Sequence, residues 1–192
     1  MARAVRTEIR PLREHELTSA IDLASTSMNA DLGRHDLPGL PTDTADSRPF
    51  YEQSFRAVFG QPGAHVVGKF VNDRLVGVVY VAPVTTWLAG MQHPVKDRLV
   101  ERAAAKLGIP REKLLILGGL AVRDEVKSRG HGSDLLDEAK RYLDSQDQTA
   151  IAYHVRNSVS QKMLFKRGWR FLYAFGHFPT RRWISYTPPK AA

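Results

Sequence analysis

The chain has 192 residues, 43% of them hydrophobic, which is enough for one well-packed core and points to a single domain over residues 1–192. It has no cysteine, which excludes a disulfide framework, a thiolate metal site and a cysteine nucleophile. The net charge is +8, and all of the excess lies after Asp147, where Arg156, Lys162, Lys166, Arg167, Arg170, Arg181, Arg182 and Lys190 face no acidic residue. Such a one-signed patch attracts anions: coenzyme phosphates, nucleic acid, or solvent ions alone. No apolar run is long enough to span a membrane, and the start MARAVRTEIR carries no secretory pattern, so a cytoplasmic protein is expected.

Taken in chain order, Thr7 to Pro11 predicts a short strand. Glu14 to Met28 predicts a helix with Leu17, Ala20, Ile21, Ala24 and Met28 on one face. Residues 29–49 are rich in Asp, Gly, Pro and Thr and read as a long loop, followed by a short helix through Tyr51, Phe55 and Val58. His65–Val71 and Leu75–Ala82 predict a hairpin around Asn72-Asp73. Residues 84–113 form an insertion holding one amphipathic helix, Val95 to Leu107. Leu114–Val122 reads as a buried strand, Ser133–Leu143 as a helix, Thr149–Val155 as a strand and Ser158–Lys166 as a short helix. Two strands, Trp169–Phe178 and Arg181–Thr187, complete a mixed α/β pattern that lacks the regular alternation of a doubly wound dinucleotide fold.

The densest signal is AVRDEVKSRGHGSDLLDEA, Ala121 to Ala139. A strand runs into a loop with Gly130 and Gly132, and a helix follows. Glycines admit a ligand close to the backbone, and a helix N-terminus offers free N–H groups and a positive dipole end. Lys127, Arg129 and His131 add donors, and Ser133 can cap the helix or touch phosphate. Leu135 stands where a Rossmann motif needs its third glycine, and no Walker P-loop occurs. By itself this fragment also fits a plain strand-to-helix turn.

These residues resemble the GNAT acetyltransferases. That family's central motif is matched by Leu120-Ala121-Val122 followed by Lys127-Ser128-Arg129-Gly130-His131-Gly132, with Lys127 where Arg or Gln is usual. Its next motif is matched by Asn157, Ser160, Phe165 and Gly168-Trp169. The resemblance covers roughly residues 112–178. It implies a GNAT-like fold with a central, mostly antiparallel mixed sheet flanked by helices, and acetyl transfer from acetyl-CoA to an amine without a metal. It implies that the strand Leu114–Val122 splays from Thr149–Val155, with the pantetheine pairing at Leu120 and Val122. The loop Lys127–Ser133 would hold the pyrophosphate, Asn157 and Ser160 the far side of the pantetheine, and Lys162 and Lys166 the ribose phosphate.

The family's usual general acid, a Tyr, is Leu164 here, and its usual Glu falls on Gly118 and Gly119. Substitutes are sought in Tyr153 and His154, of which strand alternation lets only one face the cleft, then in Tyr173 and His177, and in His93 of the insertion. Asp124 and Glu125 are expected to shape the entrance of the phosphate loop. The acceptor is left open between a small amine, a protein amine and an aminoacyl-tRNA, the last favoured by the basic C-terminal quarter. A coenzyme-binding or interaction module without catalysis is the alternative. Pairing of an exposed strand across a two-fold axis would make a homodimer.

Overall fold

A computed structural model describes residues 5–34, 47–91, 94–155, 158–175 and 182–188. Strand β1 (Thr7–Pro11) leads through a 3₁₀ turn at Glu14–Glu16 into α1 (Leu17–Arg34), and α2 (Ser47–Val58) follows. The hairpin β2 (His65–Val71) and β3 (Arg74–Pro83) precedes α3 (Val84–Met91) and α4 (Pro94–Leu107). Then come β4 (Leu114–Val122), α5 (His131–Gln146), β5 (Thr149–Val155), α6 (Val159–Phe165), β6 (Arg170–Phe175) and β7 (Arg182–Tyr186). The expected elements are therefore present, with three differences. Helix α1 runs on through residues 29–34, into the stretch expected as loop. The insertion holds two helices rather than one. Helix α5 begins two residues before Ser133, at His131.

The seven strands form one sheet in the order β1-β2-β3-β4-β5-β7-β6. Every pairing is antiparallel except that of β4 with β5. The hairpin turn is made by Asn72 and Asp73 with φ of 48° and 61°, the left-handed pair that a two-residue hairpin loop requires.

Side chains alternate cleanly between the two faces of the central strands. Val78, Tyr80, Ala82, Leu114 and Ile116 pack with Ile21, Phe55, Trp87 and Val100, from α1 to α4. Val79, Val81, Leu115 and Leu117 pack with Leu135, Leu136, Ala139 and Leu143 of α5. The continuous apolar runs in β3 and β4 follow from this cover on both sides. Helix α3 lies so close to α2 that a Cβ on Gly90 would stand 2.1 Å from that of Ala57. Its buried residues, Val84, Trp87, Leu88 and Met91, stand at helical spacing, but over eight residues without a charge that stripe is short and its other face is not marked as polar.

Candidate active site

The parallel pairing of β4 and β5 is brief. Leu114–Ile116 pair with Thr149–Ile151, and beyond Ile116 the strands part while β5 keeps its register with β7. A bulge in β4 accompanies the parting. Val78 pairs with Ala121 but Tyr80 with Gly118, so β4 fits one extra residue into that interval. Gly119 sits in the bulge at φ +64°, and a Cβ there would lie 2.7 Å from Phe55 Cζ, so both backbone and space demand glycine.

The gap is a cavity. Leu117 to Leu120 form one side and Ala152 to His154 the other, with Phe50 and Tyr51 of α2 and Ser160 and Leu164 of α6 at the ends. Tyr153 and His154 both line it, which corrects the expectation that only one of them reaches the cleft. The opening lies in the plane of the sheet, between strands, so neighbours on opposite faces both border it. Their surroundings differ. His154 is buried, its Nε2 hydrogen-bonded to Ser185 Oγ at 2.7 Å and its ring edge-on to Phe165. Tyr153 is half-buried, with Lys96 Nζ of the insertion 4.4 Å from its ring centre and 5.0 Å from that of Phe50.

A second cavity continues from the first through Ser27, Leu120 and Ser160. It is bordered by Val122, Lys127, Ser128, Gly130, His131, Gly132 and Ser133. Gly130 caps α5 at φ +87°, and its carbonyl accepts the first helical bond, from Asp134 N at 3.0 Å. The N–H groups of His131, Gly132 and Ser133 therefore open the sixteen-residue helix without intrahelical acceptors. Among the described residues, His131 Nδ1 is buried and has no hydrogen-bond partner. A buried donor or acceptor left unpaired is costly, so this nitrogen is suited to a ligand. Gly132 leaves only 3.2 Å between a notional Cβ and Met163 Cε, so a larger residue would press on α6.

Of the other expected donors, Lys127 Nζ forms an ion pair with Asp124, and Glu125 is paired with Arg74. Arg129 is exposed and does not line the cavity. Arg167 is tied into the fold by bonds to Asp137 and to the carbonyls of Met163 and Ser133. Lys162 of α6 and Lys166 just after it are exposed. Asn157, His93 and His177 lie outside the described residues.

Tyr173 is placed away from the cavity. Its hydroxyl donates to the Leu99 carbonyl at 2.6 Å, which ties β6 to α4, and burial pushes its pKa up to about 12 against the pull of Arg102. A residue that sequence reasoning passed over borders the cavity instead. Tyr80 of β3 reaches across the bulge, and a Cβ on Gly118 would be 2.3 Å from its hydroxyl oxygen. That oxygen is 2.5 Å from Ser54 Oγ, which also accepts from Trp87 Nε1 at 2.9 Å. Burial pushes the Tyr80 pKa up to about 12, opposed by the neighbouring Ser54 hydroxyl and Trp87 N–H. The signal was present in the sequence: two adjacent glycines within a buried strand leave room for a large neighbour. Among the described residues no group of three His, Asp or Glu side chains could hold a metal, and no helix is long and apolar enough to cross a membrane.

No family model matches the sequence, and no curated protein matches it. Solved structures do. The PaiA N-acetyltransferase of Thermoplasma acidophilum, in complex with coenzyme A, superposes with a TM-score of 0.64 at 16% identity, over 95% of this chain and 98% of that one. FeeM, an N-acyl amino acid synthase from uncultured soil microbes, gives 0.61 at 14% identity, over 96% and 91%. A GNAT-family acetyltransferase of Staphylococcus aureus gives 0.62 at 12% identity, over 95% and 98%. Near-complete coverage in both directions, together with the parted β4 and β5 and the glycine-capped helix between them, gives this chain the fold of the GNAT acetyltransferases.

Proposed function

We propose that the chain is an N-acetyltransferase that moves an acetyl group from acetyl-CoA to a primary amine, both being bound together. The observation that carries this reading is the continuity of two cavities, one ending on the N-terminus of α5 and the other in the gap between β4 and β5. The first fits a pyrophosphate. The free N–H groups of α5, the helix dipole and the unpartnered His131 Nδ1 favour an anion there. Lys127 would exchange Asp124 for phosphate, and Ser133 and Ser160 would supply hydroxyls. The exposed Lys162 and Lys166 would meet the outer phosphate. The pantetheine would lie against the open edge of β4 at Leu120 and Val122, which brings the thioester to Gly118 and Gly119.

Acetyl-CoA supplies an activated acetyl group, and the protein has to present a neutral amine to it. No carboxylate lines the acceptor cavity among the described residues. Its walls, Phe50, Tyr51 and Tyr153, are aromatic, and Lys96 adds positive charge beside them. Desolvation and a like charge both disfavour the ammonium form, so the surroundings themselves lower the acceptor's pKa. The same features disfavour a polyamine and favour an acceptor with one amine on an apolar body; one neighbouring fold belongs to an N-acyl amino acid synthase. Positioning contributes much of the rate in such a site.

The alternative, a coenzyme-binding module without catalysis, draws on Leu164, an apolar residue in the cavity wall where the family's Tyr is usual. One experiment separates the two. Acetyl-CoA raises the thermal midpoint of the protein in both cases, by about 2.7 kcal/mol of added stability at a hundredfold excess over the dissociation constant. Only the enzyme also releases free thiol from acetyl-CoA when single amines with apolar bodies are supplied. A midpoint unmoved by acetyl-CoA sinks both readings.

A further inference from the structure

Ser54, Tyr80 and Trp87 form a buried polar cluster between α2, α3 and the sheet, with exposures of 0%, 2% and 0%. Its hydrogen-bond count does not balance. The Trp87 N–H, the Ser54 O–H and the Tyr80 O–H are three donors. Among the described residues the cluster makes two hydrogen bonds, Trp87 to Ser54 and the one between Ser54 and Tyr80. An indole nitrogen only donates, so Ser54 Oγ accepts from Trp87. One hydroxyl proton is then left without an acceptor in the interior, whichever way the Ser54–Tyr80 bond runs. A buried donor left unmade costs about 1–3 kcal/mol, and such a surplus calls for a ligand to take it.

The cluster's geometry decides which hydroxyl carries the surplus. Of the three residues, Tyr80 alone borders the cavity. Its oxygen lies at Gly118, on the edge of β4 that leads from Leu120 and Val122, and the glycine pair is what gives it room. When the chain of donors runs from Trp87 to Ser54 to Tyr80, the last proton is directed to the cavity. Each bond in such a chain strengthens the next.

From this we infer that Tyr80 is a catalytic residue: its hydroxyl donates a hydrogen bond to the carbonyl oxygen of the bound acetyl thioester, and Ser54 and Trp87 are positioning residues that aim it. The inference rests on the acetyltransferase reading above. As the amine nitrogen bonds to the acetyl carbon, negative charge gathers on that oxygen, and a fixed donor beside it stabilises it. The C–S bond then breaks with its electron pair left on sulfur, and the proton shed by nitrogen reaches the sulfur through solvent. Tyr80 keeps its own proton throughout. Burial holds its pKa near 12, above the usual ~8.5 of a thiol, so the phenol is a donor at working pH and not a proton source for the thiolate. The aromatic residue thus does part of the work that the chain's Leu164, Gly118 and Gly119 leave undone.

The test needs no acceptor. Acetyl-CoA labelled with ¹³C at the carbonyl is bound to the unmodified protein and to Tyr80→Phe, and the carbonyl resonance of each complex is recorded. Equal affinity with a resonance further downfield in the unmodified protein is the expected result, since a hydrogen bond polarises the carbonyl. Ser54→Ala, which loosens the aim but keeps the phenol, should fall between the two. With an accepted amine, Tyr80→Phe should lower kcat by about a hundredfold at unchanged acetyl-CoA affinity. Equal affinity with identical resonances in the unmodified protein and Tyr80→Phe overturns the role of Tyr80 and leaves the donor site standing. Failure of the unmodified protein to bind acetyl-CoA overturns the functional reading itself, and this inference with it.

Discussion

The two faces of the sheet are built from different materials. Under α5 the packing is mainly aliphatic, through Val67, Val79, Val81, Leu115, Leu117, Leu135, Leu136 and Leu143 with Trp169, and its buried cation Lys69 is bonded to Asp134 of α5. Under α1 to α4 it is aromatic and partly polar, with Phe55, Trp87, Tyr51 and Tyr80 around Ser54. The aliphatic face only has to hold a helix so that its N-terminus meets a phosphate, a task done by backbone. The aromatic face has to shape a pocket and aim a side chain, which needs rigid rings and directed bonds. Donor binding should therefore be lost through backbone changes on one side, and rate through side-chain changes on the other.

The sharpest way to break this division is at the cap of α5. The double variant Gly130→Asp, Gly132→Asp places two carboxylates where an anion should sit and puts a Cβ at the left-handed φ of Gly130. It should abolish the thermal shift produced by acetyl-CoA, measured by scanning fluorimetry on protein whose circular dichroism is unchanged. Loss of the shift in Tyr80→Phe as well would erase the contrast between the faces.

The bulge itself comes next. Gly119→Ala forces a side chain to φ +64° and to within 2.9 Å of both Phe55 and Tyr80. Strain and overpacking together should cost about 2–4 kcal/mol in urea denaturation. Gly90→Ala should also destabilise, by about 1–3 kcal/mol, because its Cβ would meet Ala57 and push α3 from α2. Both lesions lie on the aromatic face, so acetyl-CoA binding to the folded fraction should survive the second.

The sequence made the aliphatic face readable because its features are local. Gly130, Gly132 and the helix after them are neighbours in the chain, and the unbroken apolar run of Leu114 to Leu117 reports cover on both sides. Ser158 to Trp169 likewise spans one short helix and its turn. The aromatic face depends on residues far apart. Ser54, Tyr80, Trp87 and Gly118 come from four elements, and no spacing rule links them. Tyr173 misled for the same reason, since its partner Leu99 is 74 residues away. In the sequence the glycine pair at 118 and 119 stands where the family's Glu is usual, whereas in the fold it is also room for the Tyr80 ring.

The smallest expected effect concerns how the aromatic face is fastened to the sheet edge. Arg10 of β1 makes two bonds to Glu16 at 2.8 and 2.6 Å, just ahead of α1, and its guanidinium lies 3.7 Å from the centre of the Phe70 ring. The Arg13 backbone N–H also donates to Glu16, at 2.8 Å. The Arg10 hydrogen bond, despite partial burial, holds the Glu16 pKa down at about 2, against an ordinary 4.5. A carboxylate whose pKa is lower in the folded state binds its proton more readily when unfolded. Its contribution is thus complete above about pH 4.5 and is lost as pH falls through about 2. Glu16→Gln should therefore cost about 1 kcal/mol at neutral pH. The difference from the unmodified protein should stay level down to the ordinary carboxylate range and then close steadily toward pH 2. Because this clamp holds the entry to α1 and touches neither cavity, acetyl-CoA affinity at neutral pH should not change. A fall in affinity would mean that α1, through Ser27 at the junction of the two cavities, transmits strain from the sheet edge to the donor site, and the two faces would then act as one.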